Sequence, residues 1–492
     1  MAKHDTLKQL ADSICREYLG FLPTSNSVKP PHIANGLFRE CTGETCYTQD
    51  IHEWIVSERR NGAVSSSEII EKYQDILWHG NKEKPENVKQ VRYLMEEIFN
   101  QDNTVYPNYE FSVFSISSHW LLKTRVSSEL NIGRFLFEIL AKRVNGIRSP
   151  AIELIQSALN HDDDDLTKIL KPIIAYPTDR EKRTLNGIDF PSDESIKWDA
   201  CKEAIRNGFD NLARNIRVTK ENENSLLVLE RMVNFAGFAV FLYLVDCHFA
   251  LFKGNRIPIL LDAGTELESI KKASEQSFTS AKKAVEDYFM CTIQAALSLE
   301  ISSPNKAACL RWIEGMVWSS AERELSVKAA ITSYFESFSS DGEDPLVALA
   351  HSLQIALYTF EYKNNSPSDF CRVLGVRCGL IGPKGNRANV KRFLINSFTL
   401  ETITLSILSE DDLDGIEMKE LGEKAIHIYN ILLGTNADAE YKILENANIA
   451  QSTPGDLRGD LTINAQALAN TYISLGLARK YADGVTLIGW RL

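Results

Sequence analysis

Apolar positions recur at three- and four-residue spacing along most of this chain, the signature of amphipathic helices. Leu7, Leu10, Ile14 and Leu19 follow it near the start. Ile69, Ile70, Tyr73 and Ile76 follow it after the capping serines Ser65, Ser66 and Ser67. Leu136, Ile139, Leu140 and Val144 repeat it. Residues 226–252 are apolar almost all round, which predicts a central helix enclosed by others. Residues 267–299 set alanines and lysines between apolar positions and predict one long helix or a helical hairpin. Trp312, Met316 and Val317, then Val327, Ile331, Tyr334 and Phe335, continue the pattern, and 346–360 reads as a further helix.

Strand signals are few. Ile-Pro-Ile-Leu-Leu at 257–261 is a short apolar run whose proline suits an edge strand or an extended connector. Residues 111–116 alternate apolar side chains with serine, and 486–490 form a third candidate strand. No alternation of strand and helix patterns occurs, which argues against a doubly wound sheet. The expected fold class is therefore mainly α, a multi-domain helical protein with few short strands.

Polar breaks divide the chain. Residues 177–194, 337–345, 364–369 and 450–460 carry prolines, glycines and charges. Length alone, 492 residues, suggests about three domains. The expected division is a helical domain over 1–180, a second over 181–340, a connector with a basic loop over 341–395, and a C-terminal module over 396–492.

That last module has the most specific pattern. Helices are expected over 400–408, 418–433 and 464–475. Arms at 477–481 and 485–488 then flank Ala482-Asp483-Gly484, a hairpin signal because Asp and Gly tolerate positive φ. Three helices followed by a hairpin is the order of a winged helix-turn-helix.

Charge decides what such a module would hold. The whole chain is acidic, with 54 Lys and Arg against 66 Asp and Glu, net −12. Residues 401–475 carry 13 acidic and 4 basic side chains, net −9, and 461–477 contain no Lys or Arg. Duplex binding draws on cations that neutralise phosphates. A field of this sign repels a duplex within a Debye length of about 8 Å. Protein docking is the better expectation, with Arg479, Lys480, Tyr481 and Trp490 as partner-binding candidates. Trp490 is singled out because tryptophans anchor many interfaces.

One segment runs the other way. Residues 372–392 hold Arg372, Arg377, Lys384, Arg387, Lys391 and Arg392 and no acid, with glycines in the middle. Glycine-rich backbone beside cations can cradle phosphate. Arg377, Lys384, Arg387, Lys391 and Arg392 are the candidate contacts to nucleic acid, against the plainer reading of a solvated basic loop.

Catalytic signatures are thin. The segment around Lys384 lacks the Gly-Lys-Ser/Thr order of a nucleotide-binding loop. Cys41 and Cys46 with His32 and His52 offer four possible ligands within 21 residues, but at no standard zinc spacing. His161 before Asp162, Asp163, Asp164 and Asp165 reads as a helix start with negative charge at the dipole's positive end. Glu361-Tyr362-Lys363 with Asp344 upstream has the elements of a metal-dependent nuclease, in which both acids would share a divalent ion. No catalytic residue, metal or cofactor is assigned.

Composition is ordinary for a folded chain, 44% apolar and 24% charged, which excludes a disordered or collagen-like polymer. Nine cysteines are too sparse for a disulfide scaffold, and Cys15, Cys201, Cys247, Cys291 and Cys309 read as reduced. The start of the chain has no apolar leader. The most apolar stretch, 232–245, is 14 residues, short of the ~20 needed to span a bilayer. A cytoplasmic location without membrane contact is expected.

Residues 475–488, Leu-Gly-Leu-Ala-Arg-Lys-Tyr-Ala-Asp-Gly-Val-Thr-Leu-Ile, together with Arg-Ile-Pro-Ile-Leu-Leu-Asp at 256–262, resemble large accessory subunits of bacterial multi-gene phage-defence operons. The resemblance covers about a quarter of the chain. It implies a component of a larger protein complex and carries no catalytic residue. The expectation is a non-catalytic accessory subunit whose partners are protein subunits, with nucleic acid touched through 372–392. The alternatives are a DNA-binding regulator and a cryptic metal-dependent nuclease.

Overall fold

Helices dominate the chain, as the periodicity predicts, and its strands are few and short. The computed structural model describes residues 5–23, 30–45, 131–159, 184–185, 187–218, 225–363, 365–384, 390–450, 455–482 and 484–490. The expected helix around Ile69, the expected strand at 111–116, the aspartates at 162–165, Cys46, His52 and Arg387 lie outside these residues.

In order, α1 (Thr6–Ile14), α2 (Pro30–Thr42), α3 (Ile132–Ala141) and α4 (Pro150–Leu159) precede α5 (Ala200–Val218) and α6 (Ser225–Phe252). The 33 residues of α7 (Glu268–Glu300) form one continuous helix, which resolves the choice left open by its pattern. Next come α8 (Lys306–Glu314), α9 (Ala329–Ser340), α10 (Pro345–Ala356) and α11 (Pro367–Arg377). The C-terminal part holds α12 (Ser397–Ile407), α13 (Met418–Tyr429), α14 (Ala437–Asn446) and α15 (Leu457–Ser474). Side-chain caps set many of these starts. Asp5, Asp344, Ser366, Asn396, Asn436 and Asp456 each accept a first-turn N–H, and prolines follow Asp344 and Ser366.

Among the described residues seven short strands make three sheets. β1 (Glu44–Thr45) pairs antiparallel with β2 (Thr184–Leu185). β3 (Ile259–Leu260), directly after Pro258, pairs parallel with β5 (Ile431–Leu432). β4 (Ile416–Glu417), β6 (Ala478–Lys480) and β7 (Thr486–Ile488) form an antiparallel sheet in the order β4-β7-β6.

The core is built around α6. Its 28 residues span about 42 Å, and α2, α4, α5, α7, α11 and α12 pack on it from different sides. A helix apolar all round has to be enclosed in this way. By length and composition Leu227–Phe252 would suffice to cross a membrane, yet 72% of its most apolar window is buried against the rest of the protein. The helix thus extends well beyond the 14-residue apolar run, because charges at both ends of that run are paired. Arg231 meets Glu401 on α12 at 2.5 Å, and Asp246 meets Arg256 at 3.1 Å. Aromatic contacts lock the surroundings: Phe235 meets Phe209 of α5 edge-on at 4.7 Å, and Phe238 meets Tyr429 of α13 edge-on at 5.3 Å.

The packing of α2 against α3 depends on glycine. A Cβ at Gly133 would lie 2.2 Å from the backbone carbon of Gly36. Two helix backbones can approach this closely only where neither carries a side chain at the contact.

Candidate docking interface

Four helices, α12 to α15, and the three-stranded sheet make up the C-terminal part of the chain, and buried hydroxyls join them. Tyr472 of α15 and Thr404 of α12 share a hydrogen bond at 2.8 Å, and Tyr429 of α13 does the same with Ser406 of α12 at 3.0 Å. Burial pushes both phenol pKa values up, so these hydroxyls stay neutral. Asn215 of α5 donates to the carbonyls of Leu405 and Leu408, which fixes the end of α12 to the core.

The hairpin forms where the sequence places it. Tyr481 N–H donates to Val485 O, Gly484 N–H donates to Tyr481 O, and Gly484 has φ +90°. A glycine at positive φ closing a three-residue loop is the bulged form of hairpin rather than the two-residue type I′ form. Other boundaries also differ from expectation. The helix expected over 418–433 stops at Tyr429, where Asn430 takes a left-handed conformation (φ 54°) and the chain leaves as β5. α14 follows, an element the sequence pattern did not signal. The helix expected over 464–475 starts earlier, at Leu457, because Asp456 caps it.

α15 has two distinct faces. Leu457, Leu461, Asn464, Leu468 and Tyr472 are buried against the core. Asn464 is fully buried; it donates to Leu261 O at 2.8 Å and accepts from Ala263 N at 2.9 Å. Arg458 stands exposed in the first turn and pairs with Asp438 at 3.5 Å; beyond it the outward face carries Thr462, Ile463, Gln466, Asn470, Ile473 and Ser474, all exposed and all uncharged. Ile463 is 52% and Ile473 39% exposed, large values for isoleucine.

Part of the acidic charge in this stretch of the chain is spent on local pairs. Lys424 bonds Asp412 at 2.7 Å and lies 3.4 Å from Glu420. Burial works against the Asp412 carboxylate, but hydrogen bonds from Lys424 and Ser409 outweigh it and hold the pKa below its ordinary value. Glu440 is buried, and burial raises its pKa even as it accepts from Gly434, Thr435 and Asn436. It closes the turn between β5 and α14 and is unavailable to a partner.

Of the partner-binding candidates, Arg479, Lys480 and Tyr481 are exposed on the hairpin. Trp490 is not an exposed anchor. It packs against the core, its backbone N–H donates to Leu413 O at 2.9 Å, and the Arg231 guanidinium lies over its ring at 4.9 Å. The arginine that sits there is held by Glu401, so the indole belongs to the joint between module and core.

The basic segment is largely built into the fold. Arg392 pairs through Nε with Asp262, whose side chain is fully buried. Its backbone exchanges two hydrogen bonds with Gly382. Lys391 donates to Pro383 O, and burial together with nearby Arg372 pulls its pKa down. Arg372 lies 3.6 Å from Asp369. Arg377 is half-buried at the end of α11, and Lys384 is exposed. Arg392 and Lys391 are thus both engaged within the fold.

The candidate chemistry is not assembled. Asp344 caps the start of α10, and Glu361 lies 17 residues later in the turns continuing that helix, about 25 Å away at helical rise. The two acids cannot share a metal ion. Glu361 pairs with Arg323, which also bonds Asp5 at 2.6 Å. His32 and Cys41 both lie on α2, nine residues or two and a half turns apart, so they leave the helix in opposite directions. Cys41 is fully buried, and burial raises its thiol pKa far above the ordinary value. The eight cysteines among the described residues are free, and no cluster of three or more metal-ligating side chains occurs among those residues.

Comparison of the chain with protein-family models, with curated proteins and with solved structures finds no match in any of the three.

Proposed function

We propose that this chain is a non-catalytic subunit of a larger protein assembly, and that its C-terminal module is a winged-helix-like unit that docks on protein. The observation that carries the reading is the outward face of α15. In a winged helix the helix before the wing is the one offered to a partner; α15 holds that place, although α14 intervenes, and from Thr462 to Ser474 its outward face is uncharged, with Ile463 and Ile473 exposed. Depletion of charge with retained apolar area is the composition of an interface core. Phosphate binding would call for cations on the same face. The strand order β4-β7-β6, with β4 entering between the first two helices of the module, supports the winged-helix reading.

The resemblance of residues 256–262 and 475–488 to accessory subunits of phage-defence operons supports placing the assembly in bacterial antiviral defence, acting on DNA. In that setting Lys384 and Arg377 remain the cations of the basic segment best placed to touch nucleic acid held by the assembly. The burial of α6 supports a cytoplasmic subunit without membrane contact.

Co-expression with the products of adjacent genes tests the proposal. A stable complex that dissociates when Ile463→Glu and Ile473→Glu are introduced together supports it. Duplex binding by the full chain that weakens steeply between 50 and 200 mM salt and survives those substitutions would replace it with the DNA-binding regulator.

A further inference from the structure

A cavity of about 340 Å³ opens where α5, the end of α6 and the end of α13 meet. That volume is at the lower end of small-molecule sites and has room for roughly ten non-hydrogen atoms, taking ~30 Å³ each. Its floor holds Asp246 and Cys201, both more than nine-tenths buried. Ala204 and Ala250 line its walls, and Glu203, Asn207, Phe249 and His427 stand exposed at its mouth.

The charges facing this space are unbalanced. Every part of the Arg256 guanidinium is already engaged. Nε bonds Asp246 Oδ2 at 3.1 Å, Nη1 donates to His427 O at 3.1 Å, and Nη2 donates to Ile428 O at 2.6 Å. An anionic ligand would therefore meet a guanidinium already tied to one carboxylate and two carbonyls. The hydrogen bond and the ion pair from Arg256 both fall on Asp246 Oδ2. The other oxygen, Oδ1, is shut away from water and has no donor among the described residues. A buried carboxylate oxygen without a donor is costly, and native proteins leave few of them. Asp246 lines the cavity, and the last torsion of an aspartate is soft. With Arg256 neutralised by Asp246, Glu203 leaves the lining with an excess negative charge.

We infer that this cavity binds a small organic amine, its ammonium group against the Asp246 carboxylate and its carbon chain along Ala204, Ala250 and Phe249. Phe249 at the mouth already has the Arg256 guanidinium 5.9 Å from its ring centre, and an aromatic ring attracts cations to its face. A diamine would place its second ammonium near Glu203. The site is separate from the outward face of α15, so either can fail without the other.

Titration calorimetry of the full chain with putrescine tests the assignment, with 1,4-butanediol as the uncharged analogue of the same length. The expected result is saturable putrescine binding, no butanediol binding, and at least tenfold weaker putrescine binding in Asp246→Asn. Because that substitution unsettles Arg256, Ala204→Leu gives a second measure: it fills the cavity, leaves every charge in place and should abolish binding. Absence of putrescine binding to the native chain, or equal binding to the native chain and the Ala204→Leu variant, would overturn the inference. In the first case the cavity holds water only.

Discussion

Arg392 and Asp262 form an ion pair across 130 residues of chain, with the carboxylate fully buried and the guanidinium nearly so. Asp262 also accepts from Gly264 N at 2.7 Å, and its own N–H donates to Phe393 O at 2.8 Å. The pair thus fastens the segment before α12 onto the end of β3. Removing one partner of a buried pair leaves an uncompensated charge and costs about 3–5 kcal/mol. Arg392→Ala should therefore lower the urea unfolding midpoint sharply, with nucleic acid present or absent. A variant as stable as the native chain would show that Asp262 finds another partner. Charge reversal aimed at DNA contact belongs at Lys384, because reversal at Arg392 would be read through unfolding.

Asp246 sets a pH dependence of opposite sign to ordinary acid denaturation. Burial pushes its pKa up from 3.8 to about 6, against the pull of Arg256. The folded state then holds the proton more tightly than the unfolded chain does. The stability this supplies is fully present below pH ~4 and is lost as pH rises through ~6, a change on the order of 3 kcal/mol. Other carboxylates contribute the reverse trend, so the difference between native and Asp246→Asn chains isolates the effect. Urea unfolding at pH 4, 5, 6 and 7 should give a difference that changes steadily across this window and levels off above it. A difference constant with pH would mean that Asp246 titrates at its ordinary value in the folded protein.

Much of the architecture was legible before any coordinates, and the reason is local. Helical periodicity and caps are encoded within a few residues of each element, so α1, α6, α7, α10 and the hairpin fall where the pattern puts them. The end of α13 at Asn430 and the early start of α15 depend on a left-handed residue and one capping aspartate inside stretches that otherwise read as continuous helix or loop. The site residues were harder to read because their roles are set at a distance. Arg392 and Lys391 look like a phosphate cradle in sequence, and their contacts with Asp262 and Pro383, distant or out of register in the pattern, are visible only in the fold. Asp246 and Asn464 carried no motif. The one available signal was a lone polar residue inside an otherwise apolar helical run, which marks a buried group in need of a partner.

The close passage of α2 and α3 gives a sharper test of the fold. At Gly133 an added methyl group would overlap the backbone of Gly36, which cannot rotate away as a side chain could. Overpacking of a core typically costs about 1–3 kcal/mol, and a backbone obstacle places this site at the upper end or beyond. Gly133→Ala should lower the thermal midpoint, although alanine is the better helix former. An unchanged or raised midpoint would mean that the two helices are farther apart than described.

The two faces of α15 predict opposite behaviour for substitutions one residue apart. Ile463 is half exposed, so Ile463→Glu should change stability by no more than about 0.5 kcal/mol, as surface replacements usually do. Asn464 is fully buried and satisfies the carbonyl of Leu261 and the N–H of Ala263. Asn464→Leu strips both backbone groups of their partner, at about 1–3 kcal/mol each. If α15 presents its outward face to a protein partner, Ile463→Glu abolishes complex formation while the unfolding curve stays put. Asn464→Leu shifts the unfolding curve, and at temperatures where the variant is still folded it leaves the outward contacts chemically intact. Denaturant unfolding and co-purification measured on the same two variants separate docking from folding. Complex formation indifferent to Ile463→Glu would move the docking surface off this helix.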